Sequence, residues 1–546
     1  MLVISLFVSF IVVLPVIFLL YIKWKHKYWA RKRVPFVKPT SFWGNTESPF
    51  KQTLGLQHIV KEAYLELKHR RVPHGGIYLF TKPAYMPIDT ELIKSIIQDS
   101  EYFRSYGFSH NGKKDLPNTN LFAMNGDPWK NARAKLTSIF VRNRMKQLFD
   151  SVLECGGPLI HNIDSRVKKG RSLDVKEVML SYAIDVIGSC ALGLESNSSV
   201  DSGVKFKKYG DQLTNTNSSL NSFYSFIKLV APSVGKLIYT RKAPMELEAS
   251  LINIIKKILN DRKMKGISRN DFIQSFIELE QEARNNEQQK LTMDEVAAQA
   301  YVFFVDGFEA PTAAITFLLH ELAHNIVIQD TLREEIRAYM KAYNDKLTYD
   351  GIMEMKYLDQ VINETLRKYP PIPYFNRVCI KPYKVPNTDI TINEGTHVLI
   401  SSVGIQHDPE YYPDPEKFEP TRFSDEEKQT RPAVSFLPFG EGSGMCIGQQ
   451  FSLLEIKTCI SLLINNYRFS PSCSDSYNLE FEPTSLVLSS KKPIQLNAMK
   501  ISEHITRMAL KLTESERTEI LVRQYSDRQR TFDDVRVLFD TVYPDR

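Results

Sequence analysis

Cysteine is scarce in this chain. There are six in 546 residues, at Cys155, Cys190, Cys379, Cys446, Cys459 and Cys473, with no CxxC pair and no spacing that frames a set of disulfides. That excludes a disulfide-stapled scaffold and suits a reducing compartment, where one thiol can persist as a thiolate. A strong excess of one charge is also missing. The net charge of +7 suits an anionic membrane surface or an acidic partner and gives no reason to expect a nucleic acid. Between Phe36 and Asn497 there is no repeat and no low-complexity segment. The 43 % apolar and 24 % charged shares are those of an ordinary globular body.

What is present begins at the N-terminus. Leu2 to Ile22 carries no charge, and at about 1.5 Å per residue it reaches roughly 30 Å, one hydrocarbon core. Lys23, Lys25, Lys27, Arg31, Lys32 and Arg33 follow at once, so the body is expected on the cytosolic side. A cleaved signal peptide is the competing reading. It fits poorly, because the run is long, has no charged start and shows no small-residue cleavage site. Residues 1–23 are therefore expected as a membrane anchor and 24–40 as a basic linker stiffened by Pro35 and Pro39.

A body over 41–500 follows. Residues 297–325 are apolar almost all round, which predicts a helix buried through its middle, with Thr292 and Glu295 as a capping box. Short strands and turns dominate after Pro370, and another apolar helix follows Cys446. The class is α+β, mostly α. Residues 501–546 are densely charged and read as a helical extension. Thr513 with Glu516 caps one helix, and Val535, Leu538, Phe539 and Val542 stripe a second. That stretch resembles a helix-turn-helix segment of arthropod transposable-element proteins.

Residues 436–451, FLPFGEGSGMCIGQQF, carry the chemistry. A thiolate that binds haem iron needs its sulfur exposed and its charge held by backbone N–H groups. Phe439, Gly440, Gly442, Cys446 and Gly448 supply tight glycine turns and a helix start just behind the sulfur. A buried, inert cysteine in a Gly-rich turn is the bland alternative. Glu364 and Arg367 lie three apart on one helical face, and Arg422 stands in PDPEKFEPTRF.

With these motifs in order, residues 30–497 resemble cytochromes P-450, and the wording of several segments is similar to insect microsomal members of the family 6 type. The resemblance implies the cytochrome P-450 fold and haem b (iron protoporphyrin IX) on Cys446. It implies a structural triad of Glu364, Arg367 and Arg422. Trp129, Arg133 and Arg377, with Phe439, would then contact the haem. Phe108, Phe122, Phe304, Phe308 and Leu486 would line an apolar substrate pocket. It further implies a monooxygenase of the endoplasmic reticulum membrane, cytosol-facing, acting on lipophilic substrates. NADPH–cytochrome P-450 reductase is the expected electron donor, with cytochrome b5 as a second.

Two positions depart from the family pattern. Gly444 stands where an arginine is usual, which removes one propionate cation. Asp306-Gly307-Phe308-Glu309-Ala310 stands where Ala-Gly-x-Glu-Thr is usual, so the hydroxyl that helps deliver protons is absent. Thr312 is a poor substitute at about 200° round the helix. Pro311 cannot donate to the Gly307 carbonyl, which predicts a kink and leaves Asp306 and Glu309 as the candidate proton carriers. Two other functions remain open: a haem-thiolate isomerase or dehydratase that needs no proton relay, and a haem protein without turnover.

Overall fold

The computed structural model describes residues 2–47, 54–105, 120, 121, 124, 126–194, 245–285, 292–473, 476–483 and 485–501. Phe108, Phe122 and the extension beyond residue 501 lie outside the described residues.

Six helices carry the argument: α1 (Leu2–Lys25), α2 (Gly126–Thr137), α3 (Val175–Leu192), α4 (Met293–His324), α5 (Lys356–Lys368) and α6 (Gln449–Asn466). Eight strands form two sheets: β1 (His74–Leu79), β2 (Lys82–Pro87), β3 (Phe103–Ser105), β4 (Leu173–Asp174), β5 (Phe375–Cys379), β6 (His397–Ile400), β7 (Tyr467–Pro471) and β8 (Gln495–Lys500). The larger runs β1-β2-β6-β5-β3, antiparallel except where β2 lies parallel to β6. The smaller runs β4-β8-β7, antiparallel throughout.

The long helix α4 starts where the sequence says it should. The Thr292 hydroxyl accepts from the Glu295 N–H, and the Glu295 carboxylate accepts from the Thr292 N–H at 2.8 Å, which satisfies two orphan donors. The helix then runs through Pro311 as one element of 32 residues. It is apolar and long enough to cross a membrane, but it is mostly buried, against α3, α5 and α6 among others. Its composition is that of a core helix, not of a span.

α1 is different. Val16, Ile17, Phe18, Leu19, Leu20 and Tyr21 are all exposed, so this stretch turns apolar side chains outward, whereas Ile22 beyond it is buried. In water that surface would cost about 25 cal/mol for each Å². The stretch after it, expected as a spacer, is built into the body instead. Trp29 is buried and donates Nε1–H to the Ile77 carbonyl at 3.1 Å, and Val37 N–H donates to the Gly76 carbonyl at 3.0 Å. The reason is local. Residues 28–37 place Trp29, Val34 and Val37 against β1, and burying them outweighs the tendency of Pro35 and Pro39 to stand off.

Candidate functional site

The cysteine loop folds around two left-handed glycines, Gly440 (φ 72°) and Gly442 (φ 70°). A Cβ on Gly442 would meet the Ile97 carbonyl and Gln98 Cα at 2.9 Å, so the loop approaches the 90–98 helix too closely for any side chain there. Cys446 N–H donates to the Phe439 carbonyl at 2.8 Å, closing the loop, and α6 begins three residues after the sulfur. The Gly448 N–H points back at Cys446 Sγ. Cys155, Cys190, Cys379 and Cys459 are buried, whereas Cys446 is exposed.

Cys446 and one stripe of α4 are the exposed parts of the site. Of the described residues from Val296 to Ala323 on α4, Asp306 is the one exposed side chain. Glu309, Ala310 and Ala313 are half-buried, and all three fall within about 60° of Asp306 on the helix. One stripe of an otherwise buried helix therefore opens onto space. The Cys446 thiol is pushed up mainly by desolvation, pulled down by the Gly448 N–H and Arg133, and pushed up again by Asp306.

Of the arginines expected at the haem, Arg133 stands beside the cysteine. Arg133 on α2 donates from Nη2 to the Met445 carbonyl at 2.5 Å, next to the cysteine. Trp129, one turn earlier, is half-buried against the main core. Arg377 on β5 is buried, with its guanidinium over the Phe375 ring at 6.0 Å. Phe439 is half-buried in the loop itself. At Gly444 the loop has no side chain to offer.

A planar ring that already gives iron four ligands needs a single protein ligand. Among the described residues no group of three His, Cys, Asp or Glu is placed to hold a bare metal ion. Of the two exposed thiols, Cys446 and Cys473, it is Cys446 that has the Gly448 N–H behind it and Arg133 beside it, and this arrangement fits the haem.

Behind the loop, Glu364, Arg367 and Arg422 come together. Arg367 grips Glu364 with two bonds of 2.7 and 2.9 Å, both residues being fully buried, and spends its other donors on the Gln406 and Pro415 carbonyls. Arg422 lies 3.6 Å from the same carboxylate, and Glu419 N–H donates to it at 2.9 Å. Burial pushes the Glu364 carboxyl up, opposed by Arg367 and Arg422. Arg367 thereby ties α5 to the 414–423 segment that precedes the cysteine loop.

Phe304 and Phe308, expected to line the pocket, are buried side chains of α4. Phe304 and Phe308 are 0 % and 1 % exposed, and their rings meet at a tilt of 60° with centroids 5.8 Å apart. Each lies two residues from Asp306, about 200° round the helix, so both face the core behind the exposed stripe. Leu486 is exposed, on a stretch whose Leu488 N–H donates to the Pro371 carbonyl, and remains a lining candidate. Thr312 is buried and donates its hydroxyl to the Phe308 carbonyl at 2.6 Å, which turns it away from the exposed stripe.

The sequence reading missed Glu455 on α6. Its carboxyl is fully buried with no hydrogen-bond partner among the described residues, and burial pushes its pKa well up. The available signal was its four-residue spacing from Phe451 and Cys459, which puts it on the apolar face.

The cytochrome P-450 family model matches residues 38–498. Probable cytochrome P-450 6a18 of Drosophila melanogaster is 36 % identical over 471 residues, 85 % of this chain and 92 % of that protein. Cytochrome P-450 6a8 of the same fly is 35 % identical over 484 residues, 87 % and 95 % of the two chains. Cytochrome P-450 6k1 of Blattella germanica is 33 % identical over 505 residues, 89 % and 95 %.

Proposed function

Because this chain belongs to the cytochrome P-450 family, whose members bind haem b through a cysteine thiolate and act as monooxygenases, we propose that Cys446 is the iron ligand and that the substrates are lipophilic molecules. The electrons come from NADPH through a membrane-bound reductase, with cytochrome b5 as a second donor. The enzyme sits on the endoplasmic reticulum membrane through α1, with its body on the cytosolic side.

The observation that carries this reading is the glycine-framed loop that presents the exposed Cys446 with the Gly448 N–H behind its sulfur and Arg133 beside it. Haem, when bound, supplies the oxygen chemistry, helped by the electron-donating sulfur. Trp129, Arg133 and Arg377 would hold its propionates; Phe439 would pack beside the sulfur. Residues 439–448 would fix the sulfur, and the Gly448 N–H would stabilise its negative charge. Asp306 and Glu309 are the acids on the open stripe, so protons bound for dioxygen would pass through one of them. Ala310 and Ala313 leave room beside them.

A carbon-monoxide difference spectrum of the reduced protein tests the ligand. A thiolate-type band is expected, and it should vanish in Cys446→Ala; a band that survives that change overturns the assignment. A second reading, an isomerase or dehydratase acting on a peroxide, is favoured by one observation. The stripe offers no hydroxyl, since Ala310 has none and Thr312 is tied to Phe308. Product from an organic peroxide with no reductase present would select it.

A further inference from the structure

Three rings from two segments of the body meet beside the anchor helix. Phe42 and Trp43 lie 5.1 Å apart between centroids, and the Phe80 ring stands 5.5 Å from Phe42 and 5.3 Å from Trp43. Phe80 forms the tip of the turn between β1 and β2, and its N–H donates to the Trp43 carbonyl at 3.0 Å. Its backbone is left-handed, with φ 56°, a position where glycine or asparagine would rest more easily than a large ring. The cluster touches α1 itself: the Phe18 and Phe42 centroids are 5.7 Å apart. We propose that Phe42, Trp43 and Phe80 form a second membrane contact, set into the headgroup layer of the same lipid bilayer that α1 crosses. This rests on the reading of α1 as the membrane anchor.

The depth follows from the helix. Phe18 lies four residues, about 6 Å along the axis, inside the end of the uncharged run at Ile22, and helical side chains lean toward the N-terminus, which is deeper still. Even if the whole 5.7 Å between the rings ran along that axis, Phe42 would stay about level with the end of the run. That is the level at which aromatic rings settle in a bilayer. The joint also holds the height fixed. Ile22 is buried, His26 Nε2 donates to the Phe80 carbonyl at 2.9 Å, and the Trp29 N–H donates to the Tyr78 hydroxyl at 3.0 Å, so the end of α1 and the turn move together. Charge agrees. Residues 1–46 and 72–88 contain no Asp or Glu, while Lys38 and Lys82 add to the basic run that begins at Lys23, which suits anionic headgroups.

The test uses the full chain, loaded with haem, in vesicles of phosphatidylcholine and phosphatidylserine. The acyl chains carry bromine near the headgroup or near the tail end, and bromine quenches indole emission only at close range. The tryptophans are Trp24, Trp29, Trp43 and Trp129. Trp29 is buried in the body and Trp129 lies on α2 near the cysteine loop, so Trp24 and Trp43 are the indoles offered to lipid. Trp43→Phe keeps a ring in the cluster and should remove roughly half of the quenched emission, most of it due to the headgroup-end bromines. Trp24→Phe gives the complementary reading, since the quenching that survives in it belongs to Trp43. Equal quenching of the native chain and Trp43→Phe, or complete loss of quenching in Trp24→Phe, overturns the contact and leaves the cluster facing water or a protein. Flotation of the vesicles after a carbonate wash is measured on the same samples. A chain that washes off removes the anchor reading and the contact with it, whereas an anchored chain with an unquenched Trp43 removes the contact alone.

Discussion

At the scale of single residues, two side chains set measurable consequences. Ala310 leaves the proton path without a hydroxyl, and a positioned proton donor contributes about 100- to 10,000-fold to a step. Native turnover with reductase should therefore spend most NADPH on hydrogen peroxide. Ala310→Thr should raise product formed per NADPH consumed; an unchanged ratio would show that Glu309 or Asp306 already delivers protons well. Glu455 governs pH dependence. Its carboxyl is raised well above 4.5 in the folded chain, by burial. Below that value both states hold the proton and nothing is lost. Above it the unfolded chain ionises first, so stability falls by about 1.4 kcal/mol for each pH unit until the folded pKa is reached. Glu455→Gln removes the ionisation at almost the same shape. The variant should melt higher than the native protein at pH 8, with the gap closing toward pH 4.5. A gap that does not change with pH would disprove the linkage.

At the scale of elements, the Glu364–Arg367–Arg422 contact decides how α5 meets the segment before the cysteine loop. All three are buried, and removing one partner of such a group costs about 3–5 kcal/mol because it strands the others. Glu364→Ala should lower the thermal midpoint sharply and release haem, since Arg367 and Arg422 would be left as buried cations. Arg367→Lys should fail nearly as badly: lysine cannot reproduce two parallel bonds to Glu364 along with those to Gln406 and Pro415. Retention of haem and melting temperature by both variants would mean that the apolar packing of α5 suffices. The spacing of Glu364 and Arg367 was legible in the sequence as a helical pair. Their burial was expected only from the family resemblance, because an i, i+3 ion pair has the same spelling on a surface.

At the scale of the molecule, α1 and the body are joined without slack. Removing residues 1–25 should free the protein from carbonate-washed membranes and leave it folded. Removing 1–40 should also take Trp29, Val34 and Val37 out of the sheet core, along with the Trp29–Ile77 and Val37–Gly76 bonds. Burial of a large side chain is worth about 1.5–3 kcal/mol, so the longer deletion should cost several kcal/mol and appear as loss of soluble haem protein. Equal yields from the two deletions would show that residues 26–40 are dispensable after all.

The sequence by itself determined what depends on local chemistry. The glycines around Cys446, the capping box at Thr292, the uncharged run of Leu2–Ile22 and the missing hydroxyl at 310 are all properties of neighbours in the chain. Backbone torsion, helix caps and hydropathy act over a few residues, so they can be read in order. Tertiary structure decided what depends on which side of an element faces what. An aromatic on a helix looks the same whether it meets substrate or core, and only the packing of α4 in the body shows Phe304 and Phe308 to be buried. The same holds for residues 24–40, whose prolines signalled a spacer until β1 offered Trp29 a carbonyl and a place to be buried. Contacts between segments far apart in the chain are settled by the free energy of burial, and that is known only once the partner surface exists.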